Sequence, residues 1–142
     1  SDVAGADDWV LVHDAARPCL PPEDMRRLID AVLASGCGGL LAQRITDTVK
    51  RTADGRRVVA TLDRTTLWRA QTPQIFRWAE LCAALEQMQQ QGLIATDEAS
   101  AMEQAGYEVQ IVEGSSRNFK VTVPDDLPIA EYYLKTTVAA RL

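Results

Sequence analysis

The first structured segment of the chain reads Trp9-Val10-Leu11-Val12-His13-Asp14-Ala15-Ala16-Arg17-Pro18. Its four leading apolar residues predict a short strand that is buried on both faces, as in a parallel sheet. Polar residues follow at once, and in open α/β sheets ligands bind beyond the carboxyl ends of the strands. We therefore expect an α/β fold whose ligand site begins at residues 13–17.

Helical and extended patterns alternate along the rest of the chain. Helices are predicted from Pro21-Pro22 to Gly36, over 79–91, from a Thr96 cap to Gly106, and from a Thr122 cap onward. Further strands are predicted over 38–42, 107–112 and 119–123. With residues 9–12 this gives three or four core strands, fewer than the roughly 5–6 of a mean sheet. We therefore expect an incomplete sheet.

A hairpin is predicted around Asp54-Gly55, because β-branched runs at 45–51 and 57–61 flank this turn dipeptide. An isolated two-stranded hairpin is marginally stable in water. We expect it to pack against something else, and a second subunit is one candidate.

The composition excludes several classes of protein. With 142 residues, 46% hydrophobic and 25% charged, the chain has the composition of one globular domain. Its net charge of -5 argues against a nucleic-acid or anionic-membrane surface, and no apolar run approaches the roughly 20 residues of a membrane span. Three widely spaced cysteines without a C-x-x-C pair indicate a reducing compartment, and we expect a cytoplasmic protein.

Single residues carry little weight, because each has a structural interpretation beside the functional one. His13 is the only histidine, and without a ligand cluster around it a structural role is favoured. Asp14 could cap a turn, or bind a hydroxyl or a magnesium ion, while Arg17 could contact a phosphate or Asp14. Lys120 is either a solvated residue at a strand edge or a compact charge for a phosphate.

The remaining candidates are also ambiguous when taken alone. Thr48, Thr72 and Thr96 fit turn or cap positions. Arg64 reads as a surface residue paired with Asp63. The segment 71–74, Gln-Thr-Pro-Gln, could be a turn and nothing more.

Together, however, these pieces form an ordered series. It runs Val12-His13-Asp14-Ala15-Ala16-Arg17-Pro18, Asp47-Thr48-Val49-Lys50-Arg51, Asp63-Arg64, Leu67-Trp68, Gln71-Thr72-Pro73-Gln74, Thr96-Asp97-Glu98-Ala99-Ser100 and Asn118-Phe119-Lys120-Val121-Thr122. In order and spacing the series closely resembles the 2-C-methyl-D-erythritol 4-phosphate cytidylyltransferase family along essentially all of the chain.

The resemblance implies a nucleotidyltransferase that joins CTP to 2-C-methyl-D-erythritol 4-phosphate and releases pyrophosphate, with Mg²⁺ as cofactor. It implies a Rossmann-like α/β sheet with a protruding β-hairpin arm through which two subunits form a homodimer. We expect residues 1–142 to be the C-terminal portion of one cytidylyltransferase domain, with the arm and dimerisation region at about 44–75.

The resemblance also implies roles for individual residues. Asp14, Arg17, Thr48 and Thr96 would bind the methylerythritol part of the substrate, and Asp14 is a candidate magnesium ligand. Arg64 and Thr72 would bind the substrate's phosphate from the other subunit. Lys120 would contact the reacting phosphate, so Arg64 and Lys120 are the expected catalytic residues.

One family feature has no match in this sequence. The glycine-rich loop that wraps the CTP phosphates, and the residues that read cytosine, precede the region of resemblance. We therefore expect this polypeptide alone to be inactive. Two other interpretations stay open: a cytidylyltransferase for a related polyol phosphate such as ribitol 5-phosphate, and a non-catalytic dimerisation module.

Overall fold

The computed structural model describes residues 4–139 of the chain. The elements in order are β1 (Trp9–Val12), α1 (Pro22–Ser35), β2 (Gly39–Arg44), β3 (Val49–Thr52), β4 (Val58–Leu62), a 3₁₀ turn (Arg64–Thr66), β5 (Trp68–Arg77), α2 (Trp78–Gln90), α3 (Glu98–Gln104), β6 (Gln110–Glu113) and α4 (Asp126–Ala139). The predicted α/β class is confirmed by these helices and strands.

Four strands form the main sheet in the order β1-β5-β2-β6. Only the β2–β6 pair is parallel, since β5 runs antiparallel to both of its neighbours. The expectation that β1 is buried on both faces was wrong. This strand lies at the sheet edge, and the Leu11 side chain is 40% exposed there.

The ten-residue strand β5 was missed by sequence reasoning, because its Gln-Thr-Pro-Gln segment looks like a turn. A proline in a central strand normally argues against a strand, since it cannot donate to the ladder. The structure accommodates Pro73 with an irregularity: Leu40 of β2 pairs with Gln74, yet Ala42 pairs with Ala70. Residues 71–73 therefore bulge out of the ladder, a device that often re-aims side chains beside active sites.

Helices cover both faces of the sheet. Successive residues of a strand point to opposite faces, and accordingly Leu40 and Leu41 of β2 belong to different hydrophobic clusters. Leu41 packs with Leu28 and Val32 of α1. Leu40 packs in the larger cluster with Phe76, Leu81, Ala84, Met88, Ala99, Ala101 and Met102, from β5, α2 and α3.

Two predicted helix caps were wrong. The cap of α3 is Asp97 and not Thr96: its carboxylate accepts from the Ser100 amide at 2.9 Å, and Ser100 completes a capping box. The last helix begins at Asp126, and Thr122 does not cap it, because the Asp126 carboxylate accepts from the Thr122 amide. The hydrogen bonds that it accepts from backbone amides hold the pKa of Asp126 below its usual value. Residues 119–123, predicted as a strand, form a loop.

The hairpin prediction is confirmed by a separate two-stranded sheet of β3 and β4. Asp54 closes its turn by accepting from the amides of Arg56 and Arg57 at 3.0 and 2.9 Å, and Gly55 adopts a φ of 75°. We call β3, β4 and the 3₁₀ turn the arm. Over residues 4–139, no helix has the length and apolar character needed to span a membrane.

Candidate functional site

A cavity of about 600 Å³ lies beyond the carboxyl end of β1. Five segments distant in sequence line it: residues 12–17, the part of β5 around its bulge, Leu85 of α2, residues 95–98 and the loop that carries Lys120. Five of the seven predicted site residues meet there, namely Asp14, Arg17, Thr72, Thr96 and Lys120. The structure thus brings five of the predicted residues together at one cavity.

An ion pair joins Asp14 to Lys120 in the lining of the cavity. Lys120 Nζ lies 2.8 Å from Asp14 Oδ2, and the Ala16 amide donates to Asp14 Oδ1 at 2.9 Å. The hydrogen bond from Lys120 and then that from Ala16 lower the pKa of Asp14 below its usual value. Asp14 is therefore a carboxylate at neutral pH, able to accept hydrogen bonds but not to donate a proton.

The loop that carries Lys120 is held by a buried amide. Asn118 is fully buried, and its Nδ2 donates to the Thr72 carbonyl at 2.7 Å. Its own backbone carbonyl accepts from Gln71 Nε2 at 3.3 Å and from Arg17 Nη1 at 2.8 Å. Sequence reasoning assigned no role to Asn118 or Gln71, although both lie inside the motifs that carry the family resemblance.

Arg17 contributes to this support more than to the open cavity. Besides its bond to Asn118, its Nη2 lies 3.5 Å from the Ala70 carbonyl. Burial lowers the pKa of the Arg17 guanidinium, while the nearby Asp14 opposes that shift. Arg17 thus ties the 13–17 turn to the bulge and to the loop that carries Lys120.

Thr72 lies in the cavity of its own chain, where the Asp14 amide donates to its Oγ1 at 2.9 Å. This differs from the expectation that Thr72 reaches into a partner's site. His13, for which a structural role was favoured, also lines the cavity, with Nδ1 2.9 Å from Thr72 Oγ1.

Thr96 stands at the rim, just before α3. The adjoining helix start is fixed to β5 by Gln74, another buried amide that the sequence did not single out. Gln74 Nε2 donates to Asp97 Oδ2 at 2.9 Å, and its Oε1 accepts from the Ala99 amide at 2.8 Å.

Two predicted site residues lie outside the cavity. Thr48 and Arg64 are exposed and belong to the arm region. The Arg64 guanidinium donates to the carbonyl of Thr46. It does not pair with Asp63 as expected, because that carboxylate accepts from the Thr65 hydroxyl and amide, which lower the pKa of Asp63.

The described side chains do not fit a magnesium site of their own. No cluster of three or more His, Cys, Asp or Glu residues suited to a metal occurs within 4–139. Asp14, the candidate ligand, has one oxygen on Lys120 and the other on the Ala16 amide. Mg²⁺ usually keeps several waters and is held by one or two carboxylates together with substrate phosphates, so a magnesium site here would have to be completed by a bound substrate.

The cavity combines an ionised carboxylate, a lysine ammonium and two threonine hydroxyls, which suits a small polyol carrying an anionic group. A model of the 2-C-methyl-D-erythritol 4-phosphate cytidylyltransferase family, IspD, matches residues 1–136. The chain belongs to this family.

Relatives in the family are close over the region they share. The 2-C-methyl-D-erythritol 4-phosphate cytidylyltransferase of Bordetella petrii is 58% identical over 131 residues, which are 92% of this chain and 58% of that protein. That of Hahella chejuensis is 48% identical over 132 residues, or 93% of this chain and 55% of its own length. The chain thus spans somewhat more than half the length of the curated relatives it matches.

Solved structures of the family confirm the fold. The Francisella tularensis enzyme aligns with a TM-score of 0.86 at 40% identity, over 94% of this chain and 62% of that one. The Thermus thermophilus enzyme aligns with a TM-score of 0.80 at 34% identity, over 92% of this chain and 63% of that one. These alignments confirm the predicted Rossmann-like α/β fold over the region that they cover.

Proposed function

We propose that the chain forms the methylerythritol-phosphate side of a cytidylyltransferase, which joins CTP to 2-C-methyl-D-erythritol 4-phosphate and releases pyrophosphate. The observation that carries this proposal is the meeting of Asp14, Thr72, Thr96 and Lys120 in one cavity. Family membership supports it, since the relatives bear the name of this activity.

The reaction requires the protein mainly to position the two substrates and to offset their negative charge. An oxygen of the substrate's phosphate attacks the α-phosphorus of CTP, the bond to the β-phosphate oxygen breaks, and pyrophosphate leaves. The nucleophile is already an anion, so no strong general base is needed. The obstacle is the approach of two anions, and a fixed ammonium such as that of Lys120 lowers it.

In this proposal the ionised Asp14 accepts hydrogen bonds from hydroxyls of the polyol, and Thr96 binds the same part of the substrate at the rim. Arg17 acts through the backbone carbonyls that it holds. Lys120 contacts the reacting phosphate.

Arg64 and Thr48 are proposed to serve a second subunit's cavity, because they lie in the arm region and outside the cavity of their own chain. The arm presents valines at the surface: Val58 and Val59 are 59% and 54% exposed. Each face of this hairpin thus exposes a valine, and an isolated two-stranded hairpin is marginally stable in water. We propose that two arms pack together in a homodimer, with Arg64 binding phosphate across the interface by its planar fork.

The domain assignment follows from the same proposal: residues 1–142 form the C-terminal portion of one cytidylyltransferase domain, with the arm inside an arm-and-dimerisation region at about 44–75. CTP and its Mg²⁺ would be bound mainly outside the residues described. We propose that the 142-residue chain alone does not catalyse the transfer. A cytoplasmic location is proposed from the three free thiols of Cys19, Cys37 and Cys82.

Titration calorimetry with 2-C-methyl-D-erythritol 4-phosphate tests the substrate assignment. Loss of a charge-assisted hydrogen bond should make Lys120→Met bind about 10- to 100-fold more weakly. Lys135→Met is the matched control, since Lys135 pairs with Glu131 on α4 and lies outside the cavity. Equal binding by both variants would contradict the role of Lys120, and tighter binding of ribitol 5-phosphate would favour the alternative substrate.

Sedimentation of the chain tests the dimer. Val59→Asp should shift a dimer to monomer, because it places a charge in the proposed interface. The control is Ile94→Asp, at a side chain that is 91% exposed and outside the arm. A wild-type chain that sediments as a monomer would refute dimerisation through the arm in this polypeptide.

A further inference from the structure

The orientation of the Thr72 hydroxyl can be worked out from its neighbours, beginning with His13. His13 Nε2 lies 3.1 Å from the carbonyl oxygen of Arg17. A carbonyl oxygen only accepts, so this contact is a hydrogen bond only if Nε2 carries the hydrogen. The Arg17 carbonyl thereby selects one tautomer of the ring.

In a neutral imidazole, one nitrogen donates and the other accepts. With the hydrogen on Nε2, Nδ1 is the acceptor, and it lies 2.9 Å from Thr72 Oγ1. The Thr72 hydroxyl therefore donates its one hydrogen to His13. The Asp14 amide donates to Thr72 Oγ1 at 2.9 Å and occupies one of its two lone pairs.

Thr72 Oγ1 is left with one free lone pair and has no hydrogen to donate to a ligand in the cavity. We propose that His13 is a positioning residue that fixes Thr72 as a hydrogen-bond acceptor, so that Thr72 binds a hydroxyl of the ligand and not its phosphate. This inference rests on the proposed function, in which the ligand is a polyol phosphate. It also revises the role of Thr72 that the family resemblance implied.

The charged side chains of the cavity are consistent with Thr72 as a hydrogen-bond acceptor. The oxygens of Asp14 only accept, as those of any carboxylate do, whereas the ammonium of Lys120 only donates. Phosphate oxygens are acceptors and are disfavoured beside the remaining lone pair of Thr72. A polyol phosphate therefore enters with hydroxyls toward Thr72 and its anionic group toward Lys120.

The tautomer can be observed directly, because His13 is the only histidine in the chain. Long-range ¹H–¹⁵N spectra at about pH 8 should show the hydrogen on Nε2 and an unprotonated Nδ1. A spectrum dominated by the Nδ1–H tautomer would overturn the proposal, since the Thr72 hydroxyl would then be free to donate. This measurement needs no ligand and no variant.

Binding of two probes supplies a second test. Thr72→Val should weaken 2-C-methyl-D-erythritol about tenfold, the equivalent of one hydrogen bond, and leave inorganic phosphate unchanged. His13→Phe should also lower the preference for the polyol over phosphate, because it frees the Thr72 hydroxyl to donate. Thr136→Val makes the same change on α4, outside the cavity, and should alter neither affinity.

The outcomes separate this inference from the proposed function. If Thr72→Val lost the same affinity for 2-C-methyl-D-erythritol and for phosphate, the acceptor role of Thr72 would be contradicted. It would also be contradicted if His13→Phe kept the wild-type preference for the polyol over phosphate. Failure of the wild-type chain to bind 2-C-methyl-D-erythritol 4-phosphate would contradict the proposed function instead. In that case the tautomer of His13 would still show whether the Thr72 hydroxyl donates to the ring. If His13→Phe does not fold, the spectrum and Thr72→Val decide the question.

Discussion

Replacing Gln74 by leucine should destabilise the protein strongly, although the change keeps the approximate size of the side chain. Gln74 is 1% exposed and makes two short hydrogen bonds, to Asp97 Oδ2 and from the Ala99 amide. A hydrogen bond to a charged group contributes about 1.5–3 kcal/mol, and an amide left buried without a partner costs about 1–3 kcal/mol. Ala99 is itself buried, so water does not easily replace the lost acceptor. We expect Gln74→Leu to lower the free energy of unfolding by about 3–5 kcal/mol.

Urea denaturation followed by tryptophan fluorescence measures this loss, and the melting temperature should fall by roughly 10 °C. Gln87→Leu is the matched control on the exposed face of α2, with an expected change within about 0.5 kcal/mol. Amide exchange adds a local readout, since the Ala99 amide should lose protection first. A loss below about 1 kcal/mol, or one equal to that of Gln87→Leu, would refute the claim that Gln74 fixes the start of α3 to the sheet.

Two further changes test other parts of the structure. Since its hydrogen bonds lower the pKa of Asp14, the stability gained from its pairing with Lys120 is complete above the ordinary value of 3.8 and is lost as the pH falls through the lowered one. Urea melts of wild type and Asp14→Asn should therefore differ by a constant amount from about pH 5 to 8 and converge only below about pH 4; a difference that already shrinks near pH 6 would contradict this. Gly39→Ala should cost about 1–3 kcal/mol in thermal unfolding, because its Cβ would lie 2.8 Å from the Gln110 carbonyl in the β2–β6 pair. Gly5→Ala, whose Cβ meets nothing nearer than 3.5 Å, should change little.

Local signals predicted most of the elements, and the one major omission has a physical cause. Helical periodicity and glycine stops located α1 and α2, and β-branched runs around Asp54-Gly55 located the arm, because those elements are specified by short-range chemistry. Strand β5 was missed because Gln71-Thr72-Pro73-Gln74 offers polar side chains and a proline, both typical of turns. Its strand character comes from pairing with β1 on one side and β2 on the other, which no local pattern encodes.

The site shows the same division between local and long-range information. The position of Asp14 after a strand predicted a ligand residue from general rules about α/β sheets. The buried amides of Gln71, Gln74 and Asn118 could not be found that way, since glutamine and asparagine side chains are mostly exposed in proteins. They are buried because each satisfies backbone groups that the bulge and the loops leave without ladder partners.

Strand β5 is therefore the element that assembles the site, although its side chains do little of the chemistry. Its bulge presents Thr72 to the cavity, and Gln71 and Gln74 beside it tie down the loop before Lys120 and the start of α3. These ties run through buried neutral amides, whereas the ligand-facing groups are partly exposed. Variants of the two kinds should consequently separate: changes at Gln71 and Gln74 lower stability and loosen the geometry, and changes at Lys120 lower affinity in a protein that remains folded.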